Sequence, residues 1–184
     1  MSFIELLLLA AALSMDAFAV AVSIGLASAK TTVKKALITG LYFGIFQAVM
    51  PLIGYALAAQ FADKITAYDH WIAFGLLVII GAKMIFESFE KDKKFDACEN
   101  VLAPAKMLPL AVATSIDALA VGISFAFLQV SIIPAVALIG FITFAISAIG
   151  VKIGALFGTR FKSKAELAGG VILILIGLKI LLQG

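Results

Sequence analysis

One cysteine, one histidine and no nucleotide-binding motif put several functions out of reach at the start. Cys98 alone cannot form an internal disulfide or a Cys-x-x-Cys relay, and among the charges around it it reads as an ordinary loop thiol. The lone His70 stands beside the lone Trp71 and reads as an interfacial anchor. Without a nucleotide-binding motif, ATP is not the direct energy source unless a partner supplies it. Charge is also sparse, at 14% of residues with a net charge of +3. That surplus fits basic loops at a membrane surface, and nothing in it points to nucleic acid.

What is plentiful is apolar surface. The chain of 184 residues is 64% hydrophobic with a mean hydropathy of +1.17, more than a soluble core needs, so the bilayer is its solvent. Six apolar runs approach or exceed the roughly 20 residues that a helix needs to cross. They lie near 3–26, 36–59, 70–87, 107–128, 132–157 and 165–182, the third and sixth being short. Residues 3–26 followed by Ala27-Ser28-Ala29 imitate a cleavable signal. The run is too long for one, and its start carries Glu5 instead of a base, so the sequence predicts a retained span.

Basic residues alternate between the connections. Lys30, Lys34 and Lys35 follow span 1, Lys91, Lys93, Lys94 and Lys106 follow span 3, and Arg160, Lys162 and Lys164 follow span 5. The other connections hold only Lys64. The positive-inside rule therefore predicts cytoplasmic basic loops and both termini outside. Lys83, Lys152 and Lys179 fall near span ends, where a long stem is expected to snorkel to the interface. Glu5 and Glu87 read as helix-end charges. The polar stretch containing Glu90, Asp92, Asp96 and Glu99 reads as a solvated linker, with regulatory metal sensing as the alternative.

The chain also repeats itself. Ala12-x3-Asp16-x2-Ala19-Val20-x2-Ser23 returns as Ala113-x3-Asp117-x2-Ala120-Val121-x2-Ser124. Gly40, Gln47-Ala48 and Gly54 return as Gly140, Ser147-Ala148 and Gly154, and Gly81-x-Lys83 returns as Gly177-x-Lys179. The expected architecture is an all-α polytopic membrane protein, with six transmembrane helices as two inverted three-helix repeats. Residues 1–88 form the first repeat, 89–106 a cytoplasmic charged linker and 107–184 the second. An odd number of spans per repeat inverts the second copy, a plan that places transport sites near the midplane.

Asp16 and Asp117 are the centre of the expected chemistry. An acid at the middle of an apolar helix costs about 2.5–3.5 kcal/mol on insertion scales, and such acids are functional by default. Each shares a helix face with small residues that let helices approach closely, so the faces of helices 1 and 4 are expected to pack together. Two carboxylates in a dry place repel one another, and a divalent cation resolves the conflict. Gln47 is the expected third ligand, since Pro51 lacks the N–H that would bond its backbone carbonyl. Ser14, Thr114, Ser115 and Ser147 are possible supporting oxygens, whereas Ser23 and Ser124 are expected to bond back to their own helices. Oxygen ligands suit Mn²⁺, Mg²⁺ or Ca²⁺; the sulfur of Met15 either tilts the choice towards a transition metal or simply packs. The competing reading makes the acids protonated glue between helices. The mid-span ionisable groups are read as acids only, which favours a bare cation over an amino acid.

Ser14-Met-Asp16-Ala-Phe-Ala19, Ser115-Ile-Asp117-Ala-Leu-Ala120-Val-Gly122, Gly44-x-x-Gln47-x-x-x-Pro51-x-x-Gly54 and Phe125-Ala-Phe-Leu-Gln129-Val resemble the MntP manganese efflux pumps over essentially the whole chain. The resemblance implies an inner-membrane exporter of Mn²⁺ in a bacterium; the reading drawn from the residues is a secondary transporter, not an enzyme, that works by alternating access, with proton exchange expected because each Asp can swap a metal for protons. Asp16 and Asp117 would be its transport acids. Mn²⁺ would be substrate rather than cofactor, and the bilayer the other partner, with the oligomeric state left open. Some members carry Glu where this chain has Gln47, so two acids stand here instead of three. The alternatives are export of Cd²⁺ or of a small cationic metabolite, and a membrane scaffold that transports nothing.

The loop asymmetry makes one outcome checkable. Cys98 should react with impermeant thiol reagents in inside-out vesicles and stay unlabelled in intact cells. Labelling from outside would reverse the orientation.

Overall fold

The computed structural model describes residues 2–28, 32–62, 69–89, 102–157 and 162–183. They form six helices: α1 (Phe3–Ala27), α2 (Val33–Ala62), α3 (Asp69–Phe89), α4 (Pro104–Phe127), α5 (Ile132–Phe157) and α6 (Lys162–Gln183). There is no strand among the described residues. All six helices are long and apolar enough to cross a membrane. Helices α3 and α6 run past the short apolar stretches that suggested them, because their flanking polar residues continue the helix. Lys30, Lys64, Lys91, Lys93, Lys94 and Arg160, the linker acids Glu90, Asp92, Asp96 and Glu99, and Cys98 lie outside the described residues, as does the side chain of His70.

Local chemistry sets the ends. Ser2 and Glu5 close a capping box at the start of α1, each side chain bonding the other's backbone N–H. Pro104 opens α4, where a missing N–H costs nothing. At the end of α4, the N–H of Val130 donates to the carbonyl of Phe125 and that of Gln129 to Ala126. This is the double bond pattern that stops a helix with a left-handed residue, and Gln129 takes that role at φ 52° in place of the usual glycine. The result is a short, uncharged turn into α5. Pro51 sits inside α2, which continues through it.

Helices α1 and α4 occupy the centre: 72% and 61% of their most apolar windows are buried, against at most 39% in the others. The large exposed side chains of the outer helices, such as Leu41, Ile79, Phe86 and Phe141, face where lipid would lie. Helix α1 packs mainly on α5 and also on α6; α4 packs mainly on α2 and also on α3; α2 lies on α5 and α3 on α6. Every extensive contact therefore joins one of the first three helices to one of the last three. Between consecutive helices, α1 with α2 and α4 with α5, the contact is slight.

Glycines make these crossings close. A Cβ on Gly122 would lie 2.1 Å from the carbonyl oxygen of Pro51 and 2.5 Å from its Cα, so α4 presses directly on the backbone of α2. Gly154 meets the backbone of Val22 in the same manner, and Gly81 and Gly170 face each other between α3 and α6. At one edge of the bundle, Lys179 near the end of α6 pairs with Glu5 at the start of α1. Both had been expected to serve only as span-end charges; their helices bring them together.

Gly122→Ala should therefore fail, because the obstacle is backbone that cannot rotate away, and overpacking of that kind costs about 1–3 kcal/mol or more. Gly75→Ala is the matched control, since a Cβ there meets nothing within 4 Å. The expected result in thermal melts is a clear loss for the first variant and an unchanged or slightly raised midpoint for the second.

Candidate functional site

Asp16 and Asp117 stand near the middles of α1 and α4, with only 10% and 9% of their side chains exposed. Their neighbours Ala12, Ala17 and Ala19 on one helix and Ala118 and Val121 on the other are buried as well. The two acids meet at a third group. The ammonium of Lys83 on α3 donates to Asp117 at 2.9 Å (Oδ2) and 3.1 Å (Oδ1), and lies 3.5 Å from Oδ2 of Asp16. Its third neighbour is Glu87, one turn further along α3, at 3.8 Å.

This arrangement corrects two expectations. Lys83 does not snorkel to the interface. Its ammonium reaches the two buried carboxylates, although 41% of the side chain stays exposed. Two carboxylates are a better partner for a cation than interfacial water. Nor are the mid-span charges all acids. Lys83 is nevertheless spent on the carboxylates, so it offers no open subsite for the anionic end of an amino acid.

The expected packing of α1 on α4 is also corrected. These helices touch only slightly, and Ala113, placed on the shared face by periodicity, is exposed. Each central helix gives its close-packing surface to a helix of the other half, α1 to α5 and α4 to α2. The aspartates are joined across the gap by a lysine reaching in from α3.

Gln47 is fully buried on α2, and its amide nitrogen donates to the carbonyl of Leu13 at 3.1 Å, three residues before Asp16. Its Oε1 and the Oδ1 of Asp16 are buried acceptors without a hydrogen-bond partner among the described residues, as is the hydroxyl of Ser147. The other candidate oxygens are partly committed. Ser14 donates to Ala10 at 2.7 Å and shares a hydrogen bond with Thr143 on α5 at 2.9 Å. Thr114 bonds back to Leu110, and Ser115 to Ala111. Their protons serve their own helices, which leaves lone pairs as all they have to offer. Ser23 and Ser124 bond back to Ala19 and Ala120, as expected. Met15 lies against Gly169 of α6 and lines an apolar groove with Phe18, Ile146 and Ile149, which favours its packing role.

Among the described residues no three His, Cys, Asp or Glu side chains gather as a metal centre. The site consists of two carboxylates with neutral oxygens near them, and one lysine. Lys83 is the residue that the sequence reading missed, although a signal existed: it is the only lysine or arginine within the third apolar run. A base and two acids inside a membrane have strong reason to find one another. Glu166, near the start of α6, is a further buried acid and has interactions of its own.

Comparison with known proteins gives a consistent picture. The family model described as "Putative manganese efflux pump" matches residues 30–181. The chain is 56% identical over 181 residues to a protein of Acetivibrio thermocellus named "Putative manganese efflux pump MntP", covering 98% of this chain and 91% of that one. Proteins of the same name from Desulfitobacterium hafniense and Mannheimia succiniciproducens are 58% and 53% identical over 183 residues, covering all of this chain and 96% and 97% of theirs. No solved structure matches.

Gln47 offers a direct test of what the site is for. Its one hydrogen bond contributes about 1 kcal/mol, while a buried acceptor left unpaired costs about 1–3 kcal/mol. Gln47→Leu should therefore melt no lower than the parent, and by about 4–8 °C higher if the full penalty is relieved. A midpoint lowered by more than about 5 °C would make the amide a structural bond.

Proposed function

The chain belongs to the family of manganese efflux pumps matched above, and from that membership we propose that it exports Mn²⁺ from the cytoplasm, with Asp16 and Asp117 as the acids that carry the ion. The observation that carries the assignment is the convergence of two buried carboxylates, one from each central helix, on a single cation. Their combined charge matches one divalent ion. About six oxygen ligands would complete the shell, and the unpartnered Oε1 of Gln47 and lone pairs of nearby hydroxyls are neutral oxygens of the right kind.

The finer reading is a secondary transporter in the cytoplasmic membrane, with its basic loops and linker inside and both termini outside. Residues 1–88 and 107–184 would be inverted repeats, joined by the linker 89–106. Support comes from the packing: exchanging α1 with α4, α2 with α5 and α3 with α6 turns the set of helix contacts into itself. In such a plan the central helices hold the ion near the midplane while the halves rock to expose it alternately to each side. Protons are the natural counter-substrate, since a carboxylate released from the metal accepts one.

One observation favours a second reading. Lys83 already pairs with both acids, which is what structural glue would look like. Asp16→Asn and Asp117→Asn separate the two. Under the transport reading each single variant inserts and accumulates normally, yet export of Mn²⁺ is lost, since one carboxylate cannot neutralise a divalent ion in a low-dielectric site. The double variant is no worse than either single one, because the acids act as a unit. Intracellular metal measured in cells lacking the endogenous exporter reads the outcome, with Cd²⁺ measured alongside to test the cargo. Near-normal export by one variant would make that aspartate glue.

A further inference from the structure

We propose that Lys83 is a tethered competitor for the transported ion: its ammonium holds the carboxylate pair until a divalent cation displaces it onto Glu87. The proposal rests on the transport reading above and adds the residue that sets selectivity and release.

The geometry is that of a cation already in place. The ammonium lies 2.9 and 3.1 Å from the two oxygens of Asp117 and 3.5 Å from Asp16, so it occupies the space where an ion shared by both acids would sit. A metal ion and an ammonium cannot both occupy that position, because like charges in contact in a poorly screened site repel strongly. Loading therefore requires Lys83 to leave. Its destination is at hand. Glu87 is one turn away on the same helix and already 3.8 Å from the ammonium, and both side chains are part-exposed, at 41% and 39%. A lysine stem is flexible enough to make that move without moving its helix.

The charges suit the loaded arrangement. The divalent ion matches the two charges of Asp16 and Asp117, and Lys83 stays beside a carboxylate when it moves to Glu87. A monovalent ion has no such advantage, since Na⁺ or K⁺ brings to the acids only the single charge that the tethered ammonium already supplies. Lys83 thus excludes the abundant monovalent cations without a rigid coordination cage. It also works in reverse: returning to the carboxylates helps to expel the metal, so the pump does not become a sink.

The test uses the full-length protein in detergent and in liposomes. Lys83→Gln should bind Mn²⁺ about tenfold tighter or more, in line with the coupling of close buried charges. Its Mn²⁺ binding should become sensitive to Na⁺, and its turnover at saturating Mn²⁺ should fall. Lys83→Arg should restore the resistance to Na⁺. Equal or weaker Mn²⁺ binding by Lys83→Gln, with no effect of Na⁺, would overturn the proposal. A second measurement needs no variant: acylation of Lys83 in the parent, read by mass spectrometry against exposed Lys152, should rise on adding Mn²⁺ and not on adding Na⁺. Unchanged reactivity while Mn²⁺ binds would overturn the competitor and spare the transport reading. If the parent binds no Mn²⁺ that Asp16→Asn abolishes, the transport reading falls and the competitor with it.

Discussion

Two carboxylates at the centre of a six-helix bundle must either meet a positive charge or give up their own, and Lys83 is the charge that this fold delivers. Without it, each acid would carry the full cost of an intramembrane charge, about 2.5–3.5 kcal/mol even on the lenient insertion scales. With it, α1, which touches α4 only slightly, is tied at one point to α4 and to α3. Asp16 and Lys83 come from the first half of the chain and Asp117 from the second, so the contact exists only when the halves are assembled.

The positions of these groups are set by glycines, which bring backbones together where lipid supplies no hydrophobic drive between helices. Gly81, two residues before Lys83, lies against Gly170 and fixes α3 on α6. Gly122, just over one turn beyond Asp117, rests on Pro51 and fixes α4 on α2. Pro51 was read in the sequence as a device that frees a carbonyl; in the structure it is also the platform on which α4 is seated. Site and scaffold are therefore not separable here, since a methyl group at Gly122 would displace the helix that carries Asp117.

Much of this was legible from residue order. The six spans, the two aspartates and the bonding of Ser23 and Ser124 to their own helices follow from local rules, because in lipid each helix must satisfy its own backbone. The errors concern partners. Periodicity put Ala113 and Asp117 on one face, and the fold exposes Ala113. Lys83 was assigned to the interface by its distance from a helix end, whereas its direction is decided by carboxylates that lie far away in sequence. Glu5 and Lys179 are separated by almost the whole chain and still pair. A single sequence contains the groups, but the pairing of groups from different helices is a property of packing, which has no local signature.

The pattern of contacts also bears on how the protein is made. Because every extensive helix interface joins the two halves, α1, α2 and α3 leave the ribosome with nothing to fold against. They must reside in the lipid as separate spans, Asp16 and Lys83 included, until α4 to α6 arrive. Assembly is then a late, largely post-translational step of long sequence separation, the kind that closes slowly because its loop entropy is lost before its contacts form. During that interval the nascent chain displays Asp16 and Lys83 without Asp117, the carboxylate that holds the ammonium most closely in the finished bundle, a feature by which membrane quality control would recognise an unfinished protein. The same ion pair that marks the working site would thus also mark completion.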